Sequence, residues 1–173
     1  MGRTGKSLIF MPSESFRGYS DEDLAAVIAY LHTIPPVDRT LPPTWIGPFA
    51  RVLHIAGFPL LPAELVDHNA TAAVPEPGVS VAYGDYLATI TCKGCHGPAL
   101  AGGDGPGPNI TSGALRTWTE ADFRRALREG KRSDGTVLSD EMPWKAFTHM
   151  TDDEIAALWK FERSLPPVER PRK

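Results

Sequence analysis

Apolar residues return every three or four positions in several stretches of this chain, which is the period of a helix with one buried face. The first runs through Leu24, Val27/Ile28 and Leu31, the second through Tyr83, Leu87 and Ile90. A third joins Phe123, Ala126 and Leu127, and a fourth Ile155, Leu158/Trp159 and Phe161/Leu165. Each opens on a residue suited to accept the first free backbone N–H groups: Ser20, Ser80, Thr119 and Thr151. Asp23 and Glu154 stand three places after their caps, in capping-box position, and acidic residues crowd both first turns, where the helix dipole favours them. Gly130 ends the third helix, and Pro35-Pro36 and Pro166-Pro167 end the first and last. A short helix is expected near 48–56, and 97–113 reads as a Gly/Pro-rich loop without period. The expected class is all-α.

Two of these segments are copies. Setting Met11 against Met142, an offset of 131, brings Met-Pro, Phe, Asp, Ala-Ala, Pro-Pro-Val and a final Arg into coincidence without a gap. Helix-facing positions exchange like for like: Leu24 with Ile155, Val27 with Leu158, Tyr30 with Phe161, Ile34 with Leu165. One structural unit used twice is the simplest account.

Composition narrows the possible chemistry. A net charge of −3 leaves no basic footprint for nucleic acid. No stretch approaches the roughly 18 apolar residues that would span a bilayer, so no transmembrane segment is expected. With 17 Pro and 16 Gly in 173 residues, loops are many and side-chain core is scarce, so a large apolar cofactor would supply what is missing. Gly2 to Ser7 resembles a phosphate loop only superficially, because the first required glycine would fall before Met1.

The two cysteines stand together in Cys92-Lys93-Gly94-Cys95-His96. This is the spacing that attaches a c-type haem. Thiols one helical turn apart can each add to a vinyl group on the same porphyrin edge, and the following imidazole then lies under the ring to bind iron. Three other readings stand beside it. A thioredoxin-like redox pair expects a βαβ setting, and this setting is helix and loop. Zinc needs about four ligands, and no second pair stands at zinc spacing. Chance is the third, since only three positions of the motif are fixed.

Given haem, Met142 is the expected second axial ligand: it lies in a downstream loop, Pro143 stiffens its approach, and Met11 holds the equivalent place in the repeat. Met150, whose counterpart is Tyr19, is expected to be a packing residue. The Pro108 carbonyl is a candidate acceptor for the second nitrogen of His96, although Pro108 in a plain turn fits the spacing equally well. Trp118, Trp144 and Trp159 are candidates to wall the haem, with Trp118 preferred; ordinary packing is the competing account of each. His32, His54, His68 and His149 are expected to be solvated or hydrogen-bonded residues of loops and helix ends.

With Cys92-x-x-Cys95-His96 early, Met142-Pro143 before the last helix, Gly84 two turns ahead of Cys92 and Phe161 on the closing helix, residues 80–168 resemble a class I c-type cytochrome. More narrowly, the chain is similar to the C-terminal part of bacterial two-haem cytochrome c proteins, whose halves are joined by a Pro-rich connector. The resemblance implies a small cytochrome c fold around one covalent haem c, at 80–173, after a Pro/Ala-rich connector at 44–79. Residues 1–43 are then the tail of a first such domain, without a haem motif of its own. Met11 would have no iron to bind, and Leu8, Ile9, Phe10 and Met11 would be exposed.

The function implied by the resemblance is electron transfer between a periplasmic or membrane-associated dehydrogenase and a cytochrome or oxidase acceptor. The expected location is the periplasm or the outer face of the inner membrane, although the N-terminus lacks the order of a secretory signal. No constellation for group transfer accompanies the motif, so an electron carrier is expected rather than an enzyme. The alternatives are a peroxidase-like haem enzyme with an open distal site and a non-haem interaction module using residues 1–79.

Overall fold

The computed structural model describes residues 13–37, 45–58, 60–61, 65–66, 74–103 and 105–168. They are helical, as the periodicity predicts; the only extended pairing among them is an isolated bridge between Lys131 and Val137. The chain divides into two compact units, Met1–Ala73 and Val74–Lys173. Leu8 to Met11 and His68 lie outside the described residues.

In the first unit a 3-10 turn at Ser13–Phe16 leads into α1, Asp21–Thr33, capped by the Ser20 hydroxyl, which accepts from the Asp23 N–H at 2.9 Å. α1 buries none of its residues: Val27, Ile28, Tyr30 and Leu31 are all exposed, as is Ile34 just after it. α2, Pro48–Ile55, begins with proline at its first position, where no N–H is missed, and likewise has no buried residue.

The second unit holds the core. α3 is Val81–Thr91, and Cys92 both ends it and starts the single turn α4, Lys93–His96. α5 is Glu120–Glu129, and α6 is Asp152–Ser164 after a 3-10 turn at Trp144–Phe147. α3 and α6 pack directly against each other, and α5 adds Phe123, whose ring lies 5.5 Å from that of Trp159 on α6. Tyr86, Leu87, Leu100, Leu115, Phe123, Leu127, Ile155, Leu158 and Phe161 form one buried cluster. Each large side chain there contributes roughly 1.5–3 kcal/mol of burial.

The α3–α6 contact depends on Gly84, since a Cβ at that position would run into the Ala157 carbonyl and lie 2.7 Å from Cβ of Phe161. The helices therefore meet backbone to backbone. α5 ends as its sequence predicts, with Gly130 left-handed at φ 67°. That glycine also seats the Trp144 indole, because a Cβ there would fall 2.6 Å from Nε1.

The offset read from the sequence recurs in the local structure. Ser13–Phe16 and Trp144–Phe147, and Asp21–Thr33 and Asp152–Ser164, correspond residue for residue at 131 positions. So do the bonds from Tyr19 N to Phe16 O (3.2 Å) and from Met150 N to Phe147 O (3.1 Å).

Candidate haem site

Cys92, Cys95 and His96 are placed by the junction of α3 and α4. The Cys92 N–H completes α3 on the Ala88 carbonyl at 2.8 Å, and the Cys95 and His96 N–H groups then both donate to the Cys92 carbonyl, at 3.2 and 3.0 Å. One tight turn thus sets the two thiols and the imidazole. Lys93 fastens the turn to α3 through Asp85 Oδ1 at 2.5 Å and Thr89 Oγ1 at 2.9 Å, and lies 5.4 Å from the Phe161 ring centroid of α6. Both cysteines are free thiols, Cys92 partly buried and Cys95 exposed. Burial pushes the Cys92 thiol above its ordinary value, and the Thr91 hydroxyl 3.3 Å from its sulfur offsets part of that rise.

The loop after the motif folds back onto it. Gly102 N donates to His96 O at 2.8 Å, Gly107 N to Cys95 O at 2.9 Å, and Ile110 N to Leu100 O at 2.9 Å. These bonds bring Pro108 to the imidazole: His96 Nδ1 lies 2.7 Å from the Pro108 carbonyl oxygen, and His96 is 6 % exposed. A carbonyl oxygen can only accept, so Nδ1 carries the proton and Nε2 keeps its lone pair for a ligand. Gly107 is the residue that allows this approach, since a Cβ there would sit 2.7 Å from Nδ1. Leu100 is the one described non-glycine residue with positive φ, at 56°, and its side chain is buried in the core cluster.

Asn109 anchors the same loop to the far end of the unit. Its Nδ2 donates to Val168 O at 2.6 Å, and its Oδ1 accepts from Thr111 N at 2.9 Å and Thr111 Oγ1 at 2.8 Å. Ser112 Oγ adds a bond to Leu165 O at 3.0 Å. Sequence reading had no signal for this clasp, whose partners are more than fifty residues apart.

Met142 is partly buried against the core cluster, as are Cys92, Trp118, Met150 and Trp159. The Met142 N–H donates to Ser139 O at 3.1 Å, and Trp144 N donates back to Met142 O at 2.8 Å, so the residue whose indole is seated on Gly130 also closes the Met142 turn. Arg128 donates to the Thr148 carbonyl and reaches Asp152 at 3.1 Å, while Arg124 reaches Asp152 at 2.7 Å. Those bonds tie α5 to the start of α6 across the Met142 segment. His32 and His54 lie in the last turns of α1 and α2, and they and His149 are exposed.

The residues present fit a haem. Two free thiols stand one turn apart, the neighbouring imidazole is held by one nitrogen with the other free, and Gly105 and Gly107 let the loop lie directly against the backbone of Cys95 and the imidazole. Tyr83, Ile90, Ile110, Trp118, Met142 and Phe147 border the core without being fully buried, which supplies apolar lining. No group of three or more His, Cys, Asp or Glu side chains among the described residues forms a conventional metal cluster.

Residues 80–161 match the family model described as cytochrome C oxidase, cbb3-type, subunit III. This segment is a c-type cytochrome domain. Such domains carry haem c and move electrons. The cytochrome domain aligns over α3 to α6, the same elements that build the buried core.

Among curated proteins, the chain is 28 % identical over 191 aligned positions to the alcohol dehydrogenase (quinone) cytochrome c subunit of Gluconacetobacter polyoxogenes, covering 91 % of this chain and 40 % of that one. It is 33 % identical over 110 positions to the fructose dehydrogenase cytochrome subunit of Gluconobacter japonicus, covering 53 % of this chain and 23 % of that one. The alcohol dehydrogenase (quinone) cytochrome c subunit of Gluconobacter oxydans is 34 % identical over 94 positions, 45 % of this chain and 20 % of that one. The chain therefore spans less than half the length of each of these relatives. No solved structure matches significantly.

Proposed function

We propose that the cytochrome domain holds one haem c, tethered through Cys92 and Cys95 with His96 and Met142 as its iron ligands, and relays electrons from a dehydrogenase to a respiratory acceptor. Bound haem supplies an iron that alternates between ferric and ferrous without forming a bond to substrate. The chain's own groups do the rest. Pro108 O orients the imidazole and fixes its tautomer, and the partly buried Met142 thioether would favour the ferrous state of a bound iron. Trp118 and the other core-bordering side chains would keep water from the bound group.

The observation that carries this reading is the 2.7 Å bond from His96 to Pro108, which leaves Nε2 free beside two unpaired thiols. The relatives named as cytochrome subunits of alcohol and fructose dehydrogenases support a dehydrogenase as the donor, and with it a periplasmic or membrane-associated setting. Among the described residues no helix is long and apolar enough to cross a membrane.

The test is expression in a host with c-type maturation machinery, followed by denaturing extraction. Haem should stay with the polypeptide, and the oxidised protein should show a sulfur-to-iron band at the red end of its spectrum that Met142→Ala abolishes. Covalent haem with no such band would mean an open distal position and favour peroxidase-like chemistry. Haem-free protein would favour an interaction module.

A further inference from the structure

Among the described residues Glu162 is the only acid in the buried interior, and nothing there donates to it: it is 2 % exposed, and neither carboxylate oxygen has a hydrogen-bond partner. On α6 it continues the stripe of Ile155 and Leu158 and precedes Leu165 by one turn. Ile155 and Leu158 belong to the buried cluster, and Leu165 packs against it. Cys92, Ile110 and Met142 border that same cluster, so the carboxyl shares one apolar body with the groups that would hold a haem.

The internal repeat singles the position out. At the offset of 131 the other stripe positions exchange like for like, whereas Glu162 stands against Leu31. A leucine suits a buried stripe, and an unpartnered acid there is destabilising once ionised. Packing alone does not call for it.

Charges on the helices packed against α6 are engaged elsewhere. On α3, Asp85 pairs with Lys93, and Tyr83 and Tyr86 are the remaining titratable groups. On α5, Arg124 and Arg128 reach Asp152, Arg124 also reaches Glu120, Arg125 pairs with Asp122, and Glu129 with Lys131. On α6 itself, Asp152 and Asp153 lie in the first turn, Glu154 accepts from the Thr151 N–H, and Lys160 donates to the Val79 carbonyl at 3.2 Å. Arg163 pulls on the Glu162 carboxyl, but less than burial, which lifts it to about 7. Both protonation states are therefore within reach near neutral pH.

We propose that Glu162 couples a proton to the electron: its carboxyl takes a proton from solvent as the bound iron is reduced and returns it as the iron is oxidised. One electron from the donor and one proton from solvent enter together, and no bond to iron is made. Reduction removes one unit of positive charge from the apolar interior, where a buried carboxylate feels the loss far more than it would in water, and the proton replaces it. By linkage, the protonated carboxyl strengthens the hold on the electron by the same factor. The inference rests on the haem reading above and names what that site exchanges besides an electron.

The test is redox titration of the full haem-loaded chain between about pH 5 and pH 9, beside Glu162→Gln, which keeps the shape without the titration, and Glu162→Leu, which restores the residue of the repeat. In the unsubstituted chain the potential should fall as pH rises through neutrality, with the reduced form binding the proton about fivefold or more tightly than the oxidised form. Both variants should lose that part of the fall, and either one that loads haem suffices for the comparison. The reduced-minus-oxidised infrared spectrum should also gain the C=O stretch of a protonated carboxyl, absent from both variants. A pH-dependent potential shared equally by the variants would overturn the proposal, as would a loaded chain whose carboxyl band is the same in both oxidation states. A chain that holds no haem would overturn the electron-carrier reading and this inference with it, whereas a loaded chain with a pH-independent potential overturns this inference alone.

Discussion

Gly84 on α3 and Ala157 on α6 approach so closely that one added carbon on the glycine would enter the Ala157 carbonyl. The crossing is the mechanical centre of the cytochrome unit, because α3 leads directly into the Cys92–His96 turn and α6 carries the largest share of the core. Gly84→Ala should therefore lower stability by about 1–3 kcal/mol through overpacking. Gly94→Ala is the control for stability: a Cβ there has no neighbour within 4 Å and the residue is helical. Thermal unfolding of both variants checks this, and equal melting temperatures would show that the crossing tolerates a wider spacing.

Glu162 makes stability depend on pH. It is 2 % exposed, and neither carboxylate oxygen has a hydrogen-bond partner among the described residues. Burial pushes its carboxyl up to about 7, against a smaller opposing pull from the Arg163 charge. A folded-state value above the unfolded one means that the native state holds the proton more tightly. The stabilising contribution is complete below about 4.5 and is lost as pH rises through about 7. The loss should be on the order of 3 kcal/mol, and Glu162→Gln should remove it. Urea unfolding at pH 5 and pH 8 measures the difference; the same decline in both proteins would assign it to other groups.

The α5 cap gives a prediction of the opposite sign. The Asp122 carboxyl is held below its ordinary value first by the Thr119 N–H, at 2.9 Å, then by the Thr119 hydroxyl, with Arg125 adding to the effect. Its contribution is present above about 3.8 and is lost as pH falls. Thr119→Ala should cost about 1 kcal/mol of stability and move Asp122 back toward the usual carboxylate range, which a carboxyl NMR titration would follow.

At the imidazole, two neighbouring substitutions should differ sharply. Pro108→Ala leaves a carbonyl in place and should change the haem spectrum little. Gly107→Ala puts a carbon 2.7 Å from Nδ1 and 2.9 Å from the Cys95 carbonyl, so it must displace the ring or the loop. Visible spectra and redox titration of the loaded protein would separate them, and matching results would mean that the loop relaxes without moving His96.

Gly130→Ala should act at a distance. Its added carbon would fall 2.6 Å from Nε1 of Trp144, whose backbone N–H holds Met142 O at 2.8 Å. The variant is expected to weaken the red-end sulfur band while leaving covalent haem in place. An unchanged band would show that the Met142 turn does not need the indole seat.

The helices were legible because caps and periods agree. Ser80, Thr119 and Thr151 each accept from the N–H three residues on, as their spacing predicts. The turn that gathers Cys92, Cys95 and His96 was legible because that spacing is a recognisable motif. Glu162 was not: on a helix it looks like one more solvated acid, and only the packing around α6 shows it buried. The course of 97–113 was equally hidden. It has no period, and its path is set by the carbonyls of Cys95, His96 and Leu100 and by the Asn109–Val168 bond. Trp144 illustrates a third reason, for its partner is a glycine, and a glycine announces a turn in the sequence but not which ring will lie upon it.

The Asn109 amide joins the carbonyl strap over His96 to the chain's exit from α6. Displacing Val168 would thus load the residue next to Pro108, so the hold on the imidazole extends to a residue at the far end of the unit.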